Sequence, residues 1–367
     1  MRYVFILGHN PKLSIAEVLA VLPQAKVVAT GNSFLIVENE KINATELINR
    51  LGGTIKIGEV IADKVDKKLM VETLKAAKKD NKLNFGLSYY ECPKDKLGMD
   101  IKTELKKAGI SCRLVVGQDK ALSSVIVVKN RVEEFLILKG QYLAKTGAVQ
   151  DFENYGQRDF GRPARDMKSG SMPPKLAQIM INLAQAESNG KIHDPFCGSG
   201  TVLQEALLLG YSNVSGSDVS AKAINDTKTN LEWLIRTYQL PATSYQLTQL
   251  DVHQLSQQFS GVDAIVTEPY LGPPLRGSET PSEIAKNITE LENLYVAAFE
   301  QFAEVLNKDG KVVIVFPTFM VGRDVLELQI LDKIKNLGFT QLDDGKLIYS
   351  REGQRVYRNI KVFGKLD

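Results

Sequence analysis

Short apolar stretches alternate with amphipathic ones along the whole chain. In the first 150 residues the alternating and continuous apolar runs at 3–7, 26–29, 34–37, 55–62 and 83–90 predict strands. Further strands are predicted at 112–116, 124–128 and 134–138. Helical periodicity lies between them. Ser14 to Glu17 (SIAE) reads as a capping box opening a helix to about residue 22. Other helices are predicted at 43–51, ended by Gly52 and Gly53, at 68–79, and at 96–108, closed by Gly109. This is α+β patterning. From residue 173 it becomes strict βα alternation. Strands are predicted at 191–194, 213–217, 244–250, 263–267 and 311–316. The helices fall at 173–186, 201–209, 221–238, 281–306 and 325–336, and two last strands near 346–349 and 355–363 form a hairpin. Regular βα alternation implies a parallel sheet covered on both faces, and the hairpin adds an antiparallel strand at its edge.

The stretch between the two patterns has no periodicity. Residues 150–172 are rich in Gly, Pro and Arg, and Arg158, Arg162 and Arg165 are interleaved with Tyr155 and Phe160. Such a segment reads as a basic interdomain connector whose guanidinium groups contact phosphates and stack on bases. Four segments are therefore expected: 1–53, 54–149, the connector 150–172, and 173–367.

Composition narrows the classes. The chain has 367 residues, 44% hydrophobic and 24% charged, enough for two or three domains with their own cores. A collagen, a rod and a mainly disordered chain are excluded. No apolar run approaches the roughly 20 residues that span a bilayer, and the first apolar run reads as a strand rather than a signal peptide. Three unrelated cysteines (Cys92, Cys112, Cys197) and three scattered histidines fit neither a disulfide framework nor a metal site. A cytoplasmic, reduced, metal-free protein is expected. The net charge of +3 is unevenly placed: residues 1–150 hold 24 basic and 16 acidic side chains (+8), and residues 151–367 hold 22 and 27 (−5). A basic front half predicts a polyanion-binding module.

The candidate chemistry lies in the back half. Asp194, Pro195, Phe196, Cys197, Gly198, Ser199, Gly200 and Thr201 link a predicted strand to a helix. Gly198 and Gly200 allow a tight turn and close approach of the backbone to a ligand. Asp218, followed by Val219, ends the next strand, where a carboxylate can take both ribose hydroxyls of an adenosine. Asp251, followed by Val252, ends the third. Leu203 stands where a dinucleotide fingerprint needs Gly or Ala, and no Lys follows Gly200 as a P-loop requires. Asp194 would repel a pyrophosphate but suits a cationic ligand. Together these features point to S-adenosyl-L-methionine. The fourth strand ends in Thr267, Glu268, Pro269 and Tyr270. An exocyclic amine is a weak nucleophile; a side-chain oxygen and a backbone carbonyl can accept its N–H groups while an aromatic ring stacks on the flipped base. Pyrimidine C5 chemistry needs a cysteine nucleophile, and none lies in 262–276.

The combination resembles the THUMP-domain RNA methyltransferases, and within them the tRNA guanosine-10 N2-methyltransferase family. DPFCGSGT at 194–201 is similar to that family's first S-adenosylmethionine motif, and Pro174 to Ala177 to the start of its preceding helix. The opening YVFILGHNPKLSIAEV is similar to its N-terminal ferredoxin-like domain, and 97–130 to its THUMP domain. The resemblance implies a Rossmann-like class I methyltransferase domain at 173–367. It implies a ferredoxin-like domain at 1–53 and a THUMP RNA-binding domain at 54–149. It further implies a tRNA methyltransferase acting on the N2 amine of a guanosine, with position 10 the expected target, a tRNA partner and a monomeric chain; some relatives need a small activator subunit. Lys94, Lys96, Lys102, Lys106, Arg113, Lys129, Arg158, Arg162 and Arg165 would hold the RNA. One motif departs from the family. Its usual Asp-Pro-Pro-Tyr reads here as Thr267-Glu-Pro-Tyr270, so the acceptor role falls to Glu268, shifted by one, or to Thr267. Glu268 is the stronger acceptor. The alternatives are an RNA or DNA amino-methyltransferase on another base (rRNA guanosine N2, adenine N6) or a tRNA-binding protein with altered catalysis.

Overall fold

The structure is a computed structural model and describes residues 1–77, 82–164, 172–241, 244–322, 324–344, 346–351 and 353–366. Contacts divide the chain into two units, Met1–Asn154 and Tyr155–Asp367.

The first unit is built on one eight-stranded sheet. In chain order it comprises β1 (Arg2–Leu7), α1 (Pro11–Val21), β2 (Lys26–Thr30), β3 (Phe34–Glu38), α2 (Ala44–Arg50) and β4 (Thr54–Ala62). Then follow α3 (Lys67–Ala76), β5 (Leu83–Tyr90), α4 (Leu97–Lys107), β6 (Cys112–Val115), α5 (Ser124–Lys129), β7 (Glu133–Leu138) and β8 (Tyr142–Val149). The strand order is β2-β3-β1-β4-β8-β7-β5-β6. β4 pairs with both β1 and β8, so strands from either side of residue 53 share one sheet.

Two expectations change here. The SIAE stretch does not cap α1, which starts at Pro11 with no side-chain cap on Asn10. Glu17 is instead buried and accepts the backbone N–H groups of Gly52 and Gly53, both at 2.8 Å. The tight N–H pair of a Gly-Gly turn claims the carboxylate. Residues 124–129 are a helix rather than a strand. Ser123 accepts from Ile126 N, and a single helical turn buries Val127 while Val125 and Val128 face outward. Four β-branched residues in that run masked a short capped helix. A buried Lys56–Glu134 pair (2.6 Å) also holds the preceding loop: Lys56 Nζ donates to the Leu122 carbonyl, and Ser88 accepts from Leu122 N.

α6 (Phe152–Phe160) leads into the second unit. There α7 (Pro174–Ala184), β9 (Lys191–Asp194), α8 (Thr201–Leu208), β10 (Asn213–Asp218), α9 (Ala221–Tyr238) and β11 (Ser244–Gln249) alternate as the pattern predicts. A 3-10 helix (Val252–Gln257), β12 (Val262–Thr267), α10 (Pro281–Val305) and β13 (Leu306–Val321) follow. β14 (Asp324–Glu327), α11 (Leu331–Asn336), β15 (Phe339–Gln341), β16 (Leu347–Tyr349) and β17 (Val356–Lys365) complete it. The predicted helix at 325–336 thus begins as a strand, because 324–327 pairs with β13.

The sheet order is β11-β10-β9-β12-β13-β17-β15. β11 through β13 are parallel, and β17 is antiparallel to β13. β17 lies inside the sheet rather than at its edge, since β15 pairs on its far side. The core beside β12 and β13 is aromatic: Phe299 packs on Phe302, Phe339 and Phe363 with ring centroids 5.1 to 5.4 Å apart. The chain runs outward through β9, β10 and β11, then returns to β12 on the other side of β9. Ligands bind at the carboxyl ends of strands where the order reverses in this way, which is where Asp194 and Thr267 end neighbouring strands.

Candidate active site

Four parallel strands end in, or run straight into, the residues that the sequence singles out. Asp194 ends β9, Asp218 ends β10, Asp251 follows β11, and Thr267 ends β12 with Glu268 next. After β9 the chain turns through Gly198 (φ +52°) and Gly200 (φ +81°) into α8. A Cβ on Gly200 would lie 2.7 Å from the Thr227 side chain, whereas a Cβ on Gly198 would come no closer than 4.0 Å to anything. The first glycine thus leaves open space above the loop, and the second lets the loop press against α9.

The loop is held on every side. Asp218 accepts from Gly198 N (3.0 Å) and Ser220 N (2.9 Å). Thr227 donates to the Gly198 carbonyl (2.8 Å), Asn230 to the Ser199 carbonyl (2.9 Å), and Gln204 to the carbonyls of Ser199 and Gly200. Thr227, Asn230 and Gln204 escaped the sequence reading, as polar residues on amphipathic helices carry no motif. Cys197 is buried against Gly216, and burial pushes its thiol up, so it packs rather than reacts. Burial also holds His193 neutral, lowering it to about 3.

Asp194 is buried, and its oxygen accepts from Phe196 N (3.1 Å) and the Thr267 hydroxyl (2.6 Å). Burial pushes its pKa up to about 7; the two hydrogen bonds oppose this, while the charges of Asp218 and Glu268 add to it. Thr267 is fully buried. Its hydroxyl donates to Asp194, and its burial closes it off from an incoming base, against its reading as an acceptor. Glu268 stands half-buried beside Arg358 of β17, with contacts of 2.5 and 2.9 Å. Pro269 is buried, whereas Tyr270 is 60% exposed and so is not a core aromatic. Val219, just past Asp218, is 66% exposed. Val252 is buried, and Asp251 caps the 3-10 helix, accepting from His253 N at 3.0 Å.

The connector arginines need correction. Arg158 is buried and ion-paired with Glu205 of α8 (2.7 Å), with its guanidinium over the Tyr155 ring at 4.3 Å. Arg162 is buried and donates to Thr201 (2.6 Å). Tyr155 is buried as well, hydrogen-bonded to Gln178. The same residue types that read as an RNA-binding connector instead brace the glycine loop, because Glu205, a carboxylate on a buried helix face, demands a cation. Arg165 lies outside the described residues. In the first unit Lys94, Lys96, Lys106, Arg113 and Lys129 are exposed and Lys102 is half-buried; Lys129 pairs with Glu153 at 3.6 Å.

Residues 162–342 match the model of the RMKL-like methyltransferase domain (UPF0020). Most of the second unit is thus similar to a methyltransferase domain. Among curated relatives, the chain is 26% identical over 279 residues to a tRNA (guanine(10)-N2)-dimethyltransferase of Methanothermobacter thermautotrophicus, covering 73% of this chain and 77% of that protein. It is 28% identical over 227 residues to one of Methanocaldococcus jannaschii, covering 60% of this chain and 53% of that one. Among solved structures, TrmN from Thermus thermophilus superposes over the whole of both chains with a TM-score of 0.55 at 16% identity, a likeness of fold.

The strand ends of the methyltransferase domain fit the cofactor. Open space above Gly198 leaves room for a ligand against the backbone, Val219 beside Asp218 is exposed, and the carboxylates of Asp194, Asp218 and Glu268 lie near enough to feel one another's charge, which suits a cationic ligand. Among the described residues no His/Cys/Asp/Glu cluster could hold a metal ion. A pH dependence follows from Asp194. A cationic ligand favours its ionised form, so below about pH 7 binding must first release a proton. Affinity for S-adenosylmethionine should weaken about tenfold from pH 8 to pH 6 and level off above 8. Calorimetry across that range checks this, and a pH-independent Kd contradicts it.

Proposed function

We propose that the protein methylates the exocyclic N2 amine of a guanosine in tRNA, with position 10 the expected target. The observation that carries this reading is the end of β12. There Glu268 stands as an acceptor next to an exposed Tyr270, one strand away from the Asp194 loop. Similarity to the tRNA (guanine(10)-N2)-dimethyltransferases supports the substrate. When bound, the cofactor supplies an electrophilic methyl group. The chain's own residues do the rest. Tyr270 stacks on the base lifted out of the RNA. Glu268 and a backbone carbonyl of the Glu-Pro-Tyr turn accept the amine's N–H groups, which frees its lone pair, and the carboxylate takes the proton that the amine sheds.

In this reading 1–53 is the ferredoxin-like domain, 54–149 the THUMP domain and 173–367 the catalytic domain. The exposed Lys94, Lys96, Lys106, Arg113 and Lys129 supply the phosphate contacts. In this reading the protein works as a cytoplasmic monomer. The test is labelled methyl transfer to unmodified tRNA transcripts, with and without guanosine 10 replaced by adenosine. Incorporation should depend on that guanosine. Full incorporation into the replaced transcript would move the target elsewhere in the RNA.

A further inference from the structure

Arg358 belongs to no motif, yet it is the cation that meets Glu268. It sits on β17 opposite Pro317 of β13 and Tyr349 of β16, and its guanidinium crosses to the end of β12. Nε donates to Oε2 at 2.5 Å and Nη2 to Oε1 at 2.9 Å, with both side chains about one-seventh exposed. Arg355, the residue just before β17, lies beside the loop after β12 as well: a Cβ on Gly277 (φ +93°) would collide with its guanidinium. The chain at the start of β17 thus meets both Glu268 and the loop beyond it.

A carboxylate gripped by a planar fork has one pose: the fork takes the two parallel lone pairs, and each oxygen keeps one more on its outer side. The outer lone pair of one such oxygen can accept from two adjacent N–H groups at once, which matches the Watson–Crick edge of guanine, where N1–H lies beside N2–H. Adenine presents its amine beside a bare N1 lone pair, which a carboxylate repels. We propose that Arg358 is a positioning residue that orients Glu268 to read N1–H and N2–H together, so that the pair selects guanine over adenine and over amino-purines that lack the N1 proton. The proposal rests on the guanine-N2 reading of the site but makes a separate claim about base choice.

The experiment uses the full-length chain, S-adenosylmethionine and tRNA transcripts carrying guanosine or 2-aminopurine at the methylated position. 2-Aminopurine keeps the C2 amine and loses the N1 proton. The wild type should prefer guanosine about 100-fold in kcat/KM. Glu268→Gln can donate to N1, so it should narrow that preference at least about tenfold. Arg358→Ala should lower kcat about 100-fold with KM for tRNA changed less than about threefold, and Arg358→Lys should recover part of it, the fork being lost but the charge kept. Unchanged S-adenosylmethionine affinity in Arg358→Ala would show that the domain has folded. Wild-type kcat in Arg358→Ala, or an unaltered base preference in Glu268→Gln, would overturn the proposal while guanine methylation stands. N6-methyladenosine as the wild-type product would overturn the proposal together with the reading beneath it.

Discussion

Gly200→Ala should cost about 2–5 kcal/mol and weaken S-adenosylmethionine binding at least about tenfold. Two penalties add. At φ +81° an L side chain is strained by roughly 1–2 kcal/mol. The new Cβ would also meet the Thr227 side chain at 2.7 Å in a buried site, and such overpacking costs about 1–3 kcal/mol. Relief requires the loop to lift from α9, which breaks the Thr227 bond to the Gly198 carbonyl and moves the backbone that the cofactor must approach. Gly198→Ala is the control. Its φ of +52° is strained, but nothing crowds its Cβ, so it should cost only about 1 kcal/mol. Thermal unfolding and calorimetry separate the two variants, and equal effects at both glycines would contradict the loop geometry.

Arg158→Ala should lower stability by about 3–5 kcal/mol, because it leaves the Glu205 carboxylate buried without its cation. Burial already raises the pKa of Glu205, so the loss is not recovered by a solvated state. For a unit of this size the melting temperature should fall by roughly 10 °C. The salt dependence of tRNA binding should stay as in the wild type, since a buried guanidinium displaces no counterions from RNA. A shallower salt slope with an unchanged Tm would restore Arg158 to the RNA interface.

These corrections show which parts of the molecule were legible in its sequence. The β9–α8 turn could be read because glycine spacing and strand-end carboxylates are local signals, and Asp194, Asp218 and Thr267 do end adjoining strands. The parallel sheet followed from βα alternation. What stayed hidden was non-local pairing. Nothing near Arg158 marks Glu205, 47 residues away, as its partner, and nothing near Glu268 marks Arg358, 90 residues away. Glu17 satisfied a capping box on paper, but its carboxylate is claimed by Gly52 and Gly53 across the fold. Short elements failed for the related reason that tertiary packing overrides propensity, as in the β-branched helix α5.

The central claim is that a methyltransferase domain with Thr267-Glu-Pro-Tyr270 at its catalytic turn acts on the N2 amine of guanine. Digesting tRNA transcripts to nucleosides after reaction with labelled S-adenosylmethionine, and identifying the labelled nucleoside by mass, tests it most directly. The account predicts label in N2-methylated guanosine, lost when Glu268 is replaced by Ala. Label in any other nucleoside, or no label from a protein that binds S-adenosylmethionine, would contradict it.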